Sequence, residues 1–278
     1  MHQLPANTTH KLKSYNISNY DRHFAKYPDK QRYQQFREGL LNGFRIGTVL
    51  PIPPQLTNPN PQYSPRDLLG IGKQIIKWRK ANFILGPIPW NTARKMKVTL
   101  NMLFGVPKPD GSTRPILNLS DKSKRKKSVN EQLKPNLCTV EYVQQKELIH
   151  MIKALGKGAY LWAKDLQWGY NNVSIHKNDI RNLGFTFQNE IYLYQVLPMG
   201  LSSAPKIFTE FMHFPVWAMK NDQPSLYYLY VNKNSLNPNH FSAEADIQLC
   251  TRTEIYRIAM ITYYLDDILG GHPTKSGL

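Results

Sequence analysis

Two adjacent carboxylates, Asp266 and Asp267, interrupt an apolar, β-prone stretch of this 278-residue chain: Ile261-Thr262-Tyr263-Tyr264-Leu265-Asp266-Asp267-Ile268-Leu269-Gly270-Gly271. Desolvating a carboxylate is unfavourable unless a partner compensates it. The pattern predicts a hairpin with Asp266-Asp267 at its tip and the flanking apolar residues in a core. Carboxylates held at a strand tip offer the hard oxygen ligands that Mg²⁺ requires. A surface turn, where Asp is a common residue, is the simpler reading of the pair by itself. A third carboxylate, Asp165, ends the apolar run Gly158-Ala159-Tyr160-Leu161-Trp162-Ala163-Lys164-Asp165. As a lone residue it reads equally as a cap or turn. Neighbouring strands of one sheet would bring Asp165 and the 266–267 pair together. Carboxylates from two strands holding two Mg²⁺ can serve phosphoryl or nucleotidyl transfer. Side chains alternate along a strand, so Asp266 is expected to be the firm ligand and Asp267 the looser one.

Several elements are needed to position these groups. Residues 1–29 are polar, basic and rich in Tyr and Asn, and read as an arm or leader. Tyr33, Phe36, Leu40, Leu41 and Phe44 recur at helical spacing, with Gly43 and Gly47 at or beyond the helix end. Residues 50–65 contain six prolines and read as a linker or a loop laid over a surface. A second helix has Ser64 as cap, Pro65 at its first position and a stripe of Leu68, Ile71, Ile75 and Trp78. From about residue 96, short β-like runs alternate with helices. Strands are predicted over 98–106 and 113–119, joined by a turn at Pro109-Asp110-Gly111. A charged loop covers 120–134. A helix over 139–155 stops at Gly156, and a strand follows over 159–166. A hairpin spans 183–188 and 191–197 about Asn189-Glu190. A helix over 203–220 contains Pro215, which should kink it. Residues 221–254 are irregular in pattern.

Composition narrows the function. The chain carries 36 Lys+Arg against 19 Asp+Glu, a formal charge of +17. A field of that sign favours polyanions, nucleic acid first. No basic amphipathic helix with an apolar face argues for a membrane surface, and no apolar run approaches a membrane span. The first residues lack the apolar core of a signal peptide. An intracellular protein, cytoplasmic or nuclear, is therefore expected. Cys138 and Cys250 suit a reducing compartment and lack metal-ligand spacing. With 41% hydrophobic and 12% aromatic residues, the chain is expected to fold.

Three segments occur in a telling order: Asp165-Leu166-Gln167-Trp168-Gly169-Tyr170-Asn171-Asn172-Val173, Leu197-Pro198-Met199-Gly200-Leu201-Ser202-Ser203-Ala204-Pro205, and Tyr264-Leu265-Asp266-Asp267. They resemble reverse transcriptase motifs A, B and C. The resemblance covers roughly residues 85–271. It implies an α/β (α+β) fold of fingers and partial palm, with an antiparallel palm sheet flanked by helices. It implies an RNA-directed DNA polymerase that adds dNTPs to a primer 3′ end on an RNA template. Asp165, Asp266 and Asp267 would be the catalytic metal ligands, for two Mg²⁺ or alternatively Mn²⁺. The stretch from Phe104 to Ser120 looks like the fingers hairpin, which makes Arg114 the first triphosphate ligand and Lys108 the second. A guanidinium grips phosphate oxygens bidentately, whereas an ammonium acts as a point charge. A basic surface hairpin is the plain alternative.

Further roles follow from the same resemblance. Tyr170 matches the position that excludes a ribonucleotide 2′-hydroxyl, although core packing would also use such a ring. Met199 and Gly200 match the motif B turn, where glycine lets backbone approach the template–nucleotide pair. Retroviral enzymes have Gln where this chain has Met199. Tyr264 would lie beside the primer end. Lys122, Lys124, Arg125, Lys126 and Lys127 would contact nucleic-acid backbone; a solvated charge run or nuclear-import patch is the alternative. RPILNLS, Ser128-Val129-Asn130, Leu183-Gly184-Phe185, LPMGLSSAP and the early Gly39-x-x-x-Gly43-Phe44 resemble DIRS-type elements, which pair the polymerase with a tyrosine recombinase. DLQWGYNNVSI is closer to gypsy-type LTR elements. DIRS-type is favoured.

Two features depart from the pattern. The interval of 66 positions from Gly200 to Asp266 exceeds the usual motif B to motif C interval, so 221–254 is expected to be an insertion. Seven residues follow Gly271. The primer grip, thumb and any RNase H, recombinase or integrase domain are thus expected to be absent from this chain. The domain reading is an N-terminal basic arm, helix and Pro-rich linker over 1–64, then fingers and palm over 65–278. The rival function is an inactive retroelement fragment that only binds nucleic acid.

Overall fold

A computed structural model describes residues 10–124, 126–142, 145–221, 260–264 and 267–272. Among them the order is α1 (Ile17–His23), α2 (Lys30–Asn42), α3 (Pro65–Lys80), β1 (Ile84–Ile88), α4 (Trp90–Lys95), β2 (Met102–Pro107) and β3 (Thr113–Asn118). Then follow α5 (Gln145–Leu155), β4 (Tyr160–Asp165), β5 (Gly184–Phe187), β6 (Glu190–Tyr194), α6 (Ala204–Asn221), β7 (Met260–Tyr264) and β8 (Asp267–His272). Mixed helix and antiparallel sheet is the expected fold class. The chain divides into two compact units.

The first unit comprises Met1–Ile17, Gln34–Thr139 and Tyr170–Phe208. Its helix α3 begins as the sequence dictates. Ser64 Oγ accepts the Asp67 N–H at 3.1 Å, and Pro65 occupies the first turn, where no intrahelical N–H bond is lost. Asp67 in the first turn and Lys77, Arg79 and Lys80 in the last complement the helix dipole. Ile71, Ile75 and Trp78 are buried, whereas Leu68 sits at the edge of the stripe, 37% exposed. The buried face packs on β1 and on the β2–β3 ribbon. Trp78 lies 5.1 Å from the Tyr194 ring of a three-stranded antiparallel sheet ordered β1-β6-β5.

Two expectations shift in this unit, and a third resolves to one of its two readings. Residues 99 and 100 form isolated bridges, so the regular strand begins at Met102 rather than at 98. The β5–β6 turn is Gln188-Asn189, both at positive φ (49° and 65°), and Glu190 already pairs with Phe187. Positive φ at both central positions matches the twist of the flanking strands. The Pro-rich stretch is a loop laid over the sheet. Ile52 is buried, Asn60 Nδ2 donates to the Thr186 carbonyl at 2.7 Å, and Asn60 Oδ1 accepts the Leu103 N–H at 2.7 Å.

The second unit comprises Ser18–Tyr33, Val140–Gly169 and Thr209–Leu278. Its antiparallel sheet is ordered β4-β8-β7, with β8 in the middle. Gly270 and Gly271 make that strand thin enough to be covered on both sides. A Cβ on Gly270 would lie 2.2 Å from the Trp162 ring, and one on Gly271 2.5 Å from the Leu155 side chain of α5. Helix α5 starts at Gln145, later than 139, and ends at Gly156, whose φ of +85° closes it. Helix α6 continues through Pro215.

The stretch read as an arm is in part core. Phe24 and Tyr27 are buried, and the Phe24 ring lies 5.3 Å from Phe214 and 5.4 Å from Trp217. Tyr27 hydroxyl is 2.9 Å from His213 Nε2, and Arg32 forms an ion pair with Glu210 at 2.7 Å. Residues 1–9 and the expected insertion from 222 onward lie outside the described residues.

Candidate active site

Strand β4 delivers Asp165 as its last residue, exposed, and the ladder pairs it directly with Asp267, the first residue of β8. Asp267 is paired on its other side with Tyr264 of β7. Asp267 is therefore a strand residue in the middle of the sheet edge, not half of a hairpin tip. Asp266 and Leu265 lie outside the described residues. Residues paired directly across an antiparallel ladder carry their Cβ atoms on one face, about 4.5–5.5 Å apart, where like charges repel. A divalent cation bound there would offset such repulsion. The donors are carboxylate oxygens alone, which fits Mg²⁺ or Mn²⁺. Among the described residues no group of three or more His, Cys, Asp or Glu could hold a metal ion.

The expected triphosphate cations lie on the β2–β3 ribbon of the other unit. Val106 pairs with Arg114, and the Lys108 N–H donates to the Ser112 carbonyl at 2.8 Å, extending the ladder past Pro107. Alternation puts Thr113, Pro115 and Leu117 on the buried face, and Arg114 on the exposed one. By the same register Lys108 and Arg114 are diagonal neighbours on that face. The turn between them is fixed by Asp110, whose carboxylate accepts the Ser112 hydroxyl and N–H at 2.6 and 2.9 Å. Those bonds hold its carboxyl below the ordinary range.

The motif B turn is tightly constrained within the same unit. Gly200 has φ +99°, and a Cβ there would lie 2.3 Å from the Leu117 carbonyl oxygen. Glycine is thus required both by conformation and by close backbone approach. Met199 beside it is exposed. The turn is held by Asn130, a residue to which the sequence assigned no role. Its Nδ2 donates to the Gly200 carbonyl at 2.9 Å, and its Oδ1 accepts the Ser202 N–H at 2.9 Å. Tyr170 packs edge-on against Phe208 at 5.0 Å, half-buried.

The basic loop is only partly available. Lys122 forms an ion pair with Glu131 at 3.1 Å, and Arg125 lies outside the described residues. Lys124, Lys126 and Lys127 are exposed. Glu131 also accepts the Ser128 N–H and hydroxyl, and these bonds, with Lys122, lower its pKa to about 2.

Helices mixed with antiparallel sheet are consistent with the fingers and palm of a polymerase. The chain belongs to the reverse transcriptase (RNA-dependent DNA polymerase) family, which it matches over residues 106–277, more than half its length. It is also similar to the Transposon Tf2-3, Tf2-4 and Tf2-5 polyproteins of Schizosaccharomyces pombe, at 28% identity over 109 residues. That match covers 39% of this chain and 7% of each polyprotein. Among the described residues no helix is long and apolar enough to cross a membrane.

Proposed function

We propose that this chain is the fingers and palm part of a retroelement reverse transcriptase, extending a DNA primer with dNTPs on an RNA template. The observation that carries the reading is the register pairing of Asp165 with Asp267, inside a segment that belongs to the family. Asp165, Asp266 and Asp267 hold two Mg²⁺, or Mn²⁺. When bound, the ions lower the pKa of the primer 3′-hydroxyl and neutralise charge on the leaving pyrophosphate. Arg114 binds triphosphate oxygens bidentately and Lys108 adds a point charge. Tyr170 excludes a 2′-hydroxyl, and the Met199-Gly200 turn backs the template–nucleotide pair. Tyr264 borders the primer end. Lys124, Arg125, Lys126 and Lys127 contact phosphate backbone, with Lys122 shared between it and Glu131.

In this reading the polymerase part is 65–278, with 221–254 as an insertion. A DIRS-type element is favoured on RPILNLS and LPMGLSSAP; DLQWGYNNVSI supports a gypsy-type element as second reading. That the matched relatives are polyproteins supports companion domains in one polyprotein; by the family resemblance these are RNase H, recombinase or integrase, working in the cytoplasm or nucleus. Primer extension on poly(rA)/oligo(dT) with Mg²⁺ or Mn²⁺ tests the activity. Incorporation of dTTP is expected. Nucleic-acid binding without incorporation, with or without an added thumb segment, would leave an inactive binding fragment. Incorporation that survives Asp266→Asn would remove Asp266 from the metal site.

A further inference from the structure

The 128–133 segment is built around one amide side chain. Ser128, Val129 and Leu133 are buried, and the Asn130 N–H donates to the Leu119 carbonyl at 3.0 Å. This fixes Asn130 at the end of β3, beside Leu117, whose carbonyl meets Gly200. From there Asn130 Nδ2 donates to both Ser120 Oγ and the Gly200 carbonyl, each at 2.9 Å. Its Oδ1 accepts the Ser202 N–H at 2.9 Å. Donor and acceptor ends of one amide are thus both used on two backbone groups that flank a single turn. An amide can do this and a carboxylate cannot, because an ionised carboxylate only accepts. Glu131 braces the same segment through Ser128 and Lys122.

We infer that Asn130 is a positioning residue for the incoming nucleotide: it sets the backbone of Gly200 to Ser202, and through it the surface that Met199-Gly200 offers to the base pair being formed. It touches neither metal nor reacting atoms. The inference rests on the polymerase reading, since it assigns the motif B turn to nucleotide binding. A turn held in one conformation binds its ligand without an ordering cost. Loss of the clamp should therefore weaken dNTP binding and leave the chemical step alone.

The test uses the full chain with Asn130→Ala and Asn130→Asp, on poly(rA)/oligo(dT) with varied dTTP, alongside hydrogen exchange at the Ser202 amide. Asn130→Ala should raise KM for dTTP about tenfold with kcat little changed, the signature of lost uniform binding. Exchange at Ser202 should speed up in the same variant, while KM for primer–template and the melting temperature stay near wild type. Asn130→Asp keeps an acceptor for the Ser202 N–H and loses the donor to Gly200. It should protect Ser202 yet still raise KM. An active wild type with unchanged KM in both variants overturns the inference and leaves the polymerase reading standing. Unchanged Ser202 exchange in Asn130→Ala overturns the clamp whatever the activity. A wild type that incorporates nothing fails the polymerase reading and takes the nucleotide role of Asn130 with it.

Discussion

Asp165 and Asp267 oppose each other across one step of the β4–β8 ladder. Like charges in direct register weaken a sheet, a cost that a cation bound at the proposed site would offset. The expectation that Asp266 and Asp267 share a hairpin tip fails at Asp267, which is a strand residue paired with Asp165 and Tyr264. Apolar flanks do not fix the residue at which a strand resumes; the register is set by pairing with β4. Arg114 and Lys108 were legible as cations, and the ribbon puts Arg114 on an exposed face. Arg114→Lys keeps the charge and loses the bidentate fork. It should raise KM for dNTP by about 10- to 100-fold, read by steady-state extension. Tyr170 packs against Phe208 and so has a fixed ring. Tyr170→Ala should admit ribonucleotides in a CTP-against-dCTP competition on a poly(rG)-containing template; unchanged selectivity would count against the steric role.

Elements with local signals were readable and those with distant partners were not. Helix α3 follows from its cap, its first-turn proline and its stripe. Asn130 stood out only within the Ser128-Val129-Asn130 run, and its role stayed hidden because its side chain bonds backbone groups 70 and 72 residues away. The α1 region lacked a helical stripe because its rings answer to Phe214 and Trp217, far along the chain. Phe24→Ala should accordingly destabilise the fold by about 3–5 kcal/mol in urea unfolding. A silent mutation there would mean the first residues are the arm their composition suggested. The Glu131 carboxyl falls from 4.5 to about 2 in the folded chain. A depressed acid stabilises above its unfolded pKa, and the contribution is lost as pH drops through the folded one. Acid unfolding of wild type and Glu131→Gln should therefore converge between pH 4.5 and about 2. Curves that stay parallel through that window would contradict the Ser128 and Lys122 bonds.

At the scale of the molecule, charge and metal chemistry meet. A formal charge of +17 predicts tight, weakly selective binding to RNA–DNA hybrid that falls steeply with salt. Fluorescence anisotropy across a salt series should give a linear log–log slope; a flat response would put the cations elsewhere. Binding alone, however, does not separate a polymerase from a basic fragment. The carboxylate pair does. Primer extension on poly(rA)/oligo(dT) by the wild-type chain and by Asp165→Asn, matched for hybrid affinity, asks the question directly. The wild type should incorporate dTTP in a Mg²⁺-dependent reaction and the variant none, with binding retained. Equal incorporation by both would contradict a metal site built on Asp165.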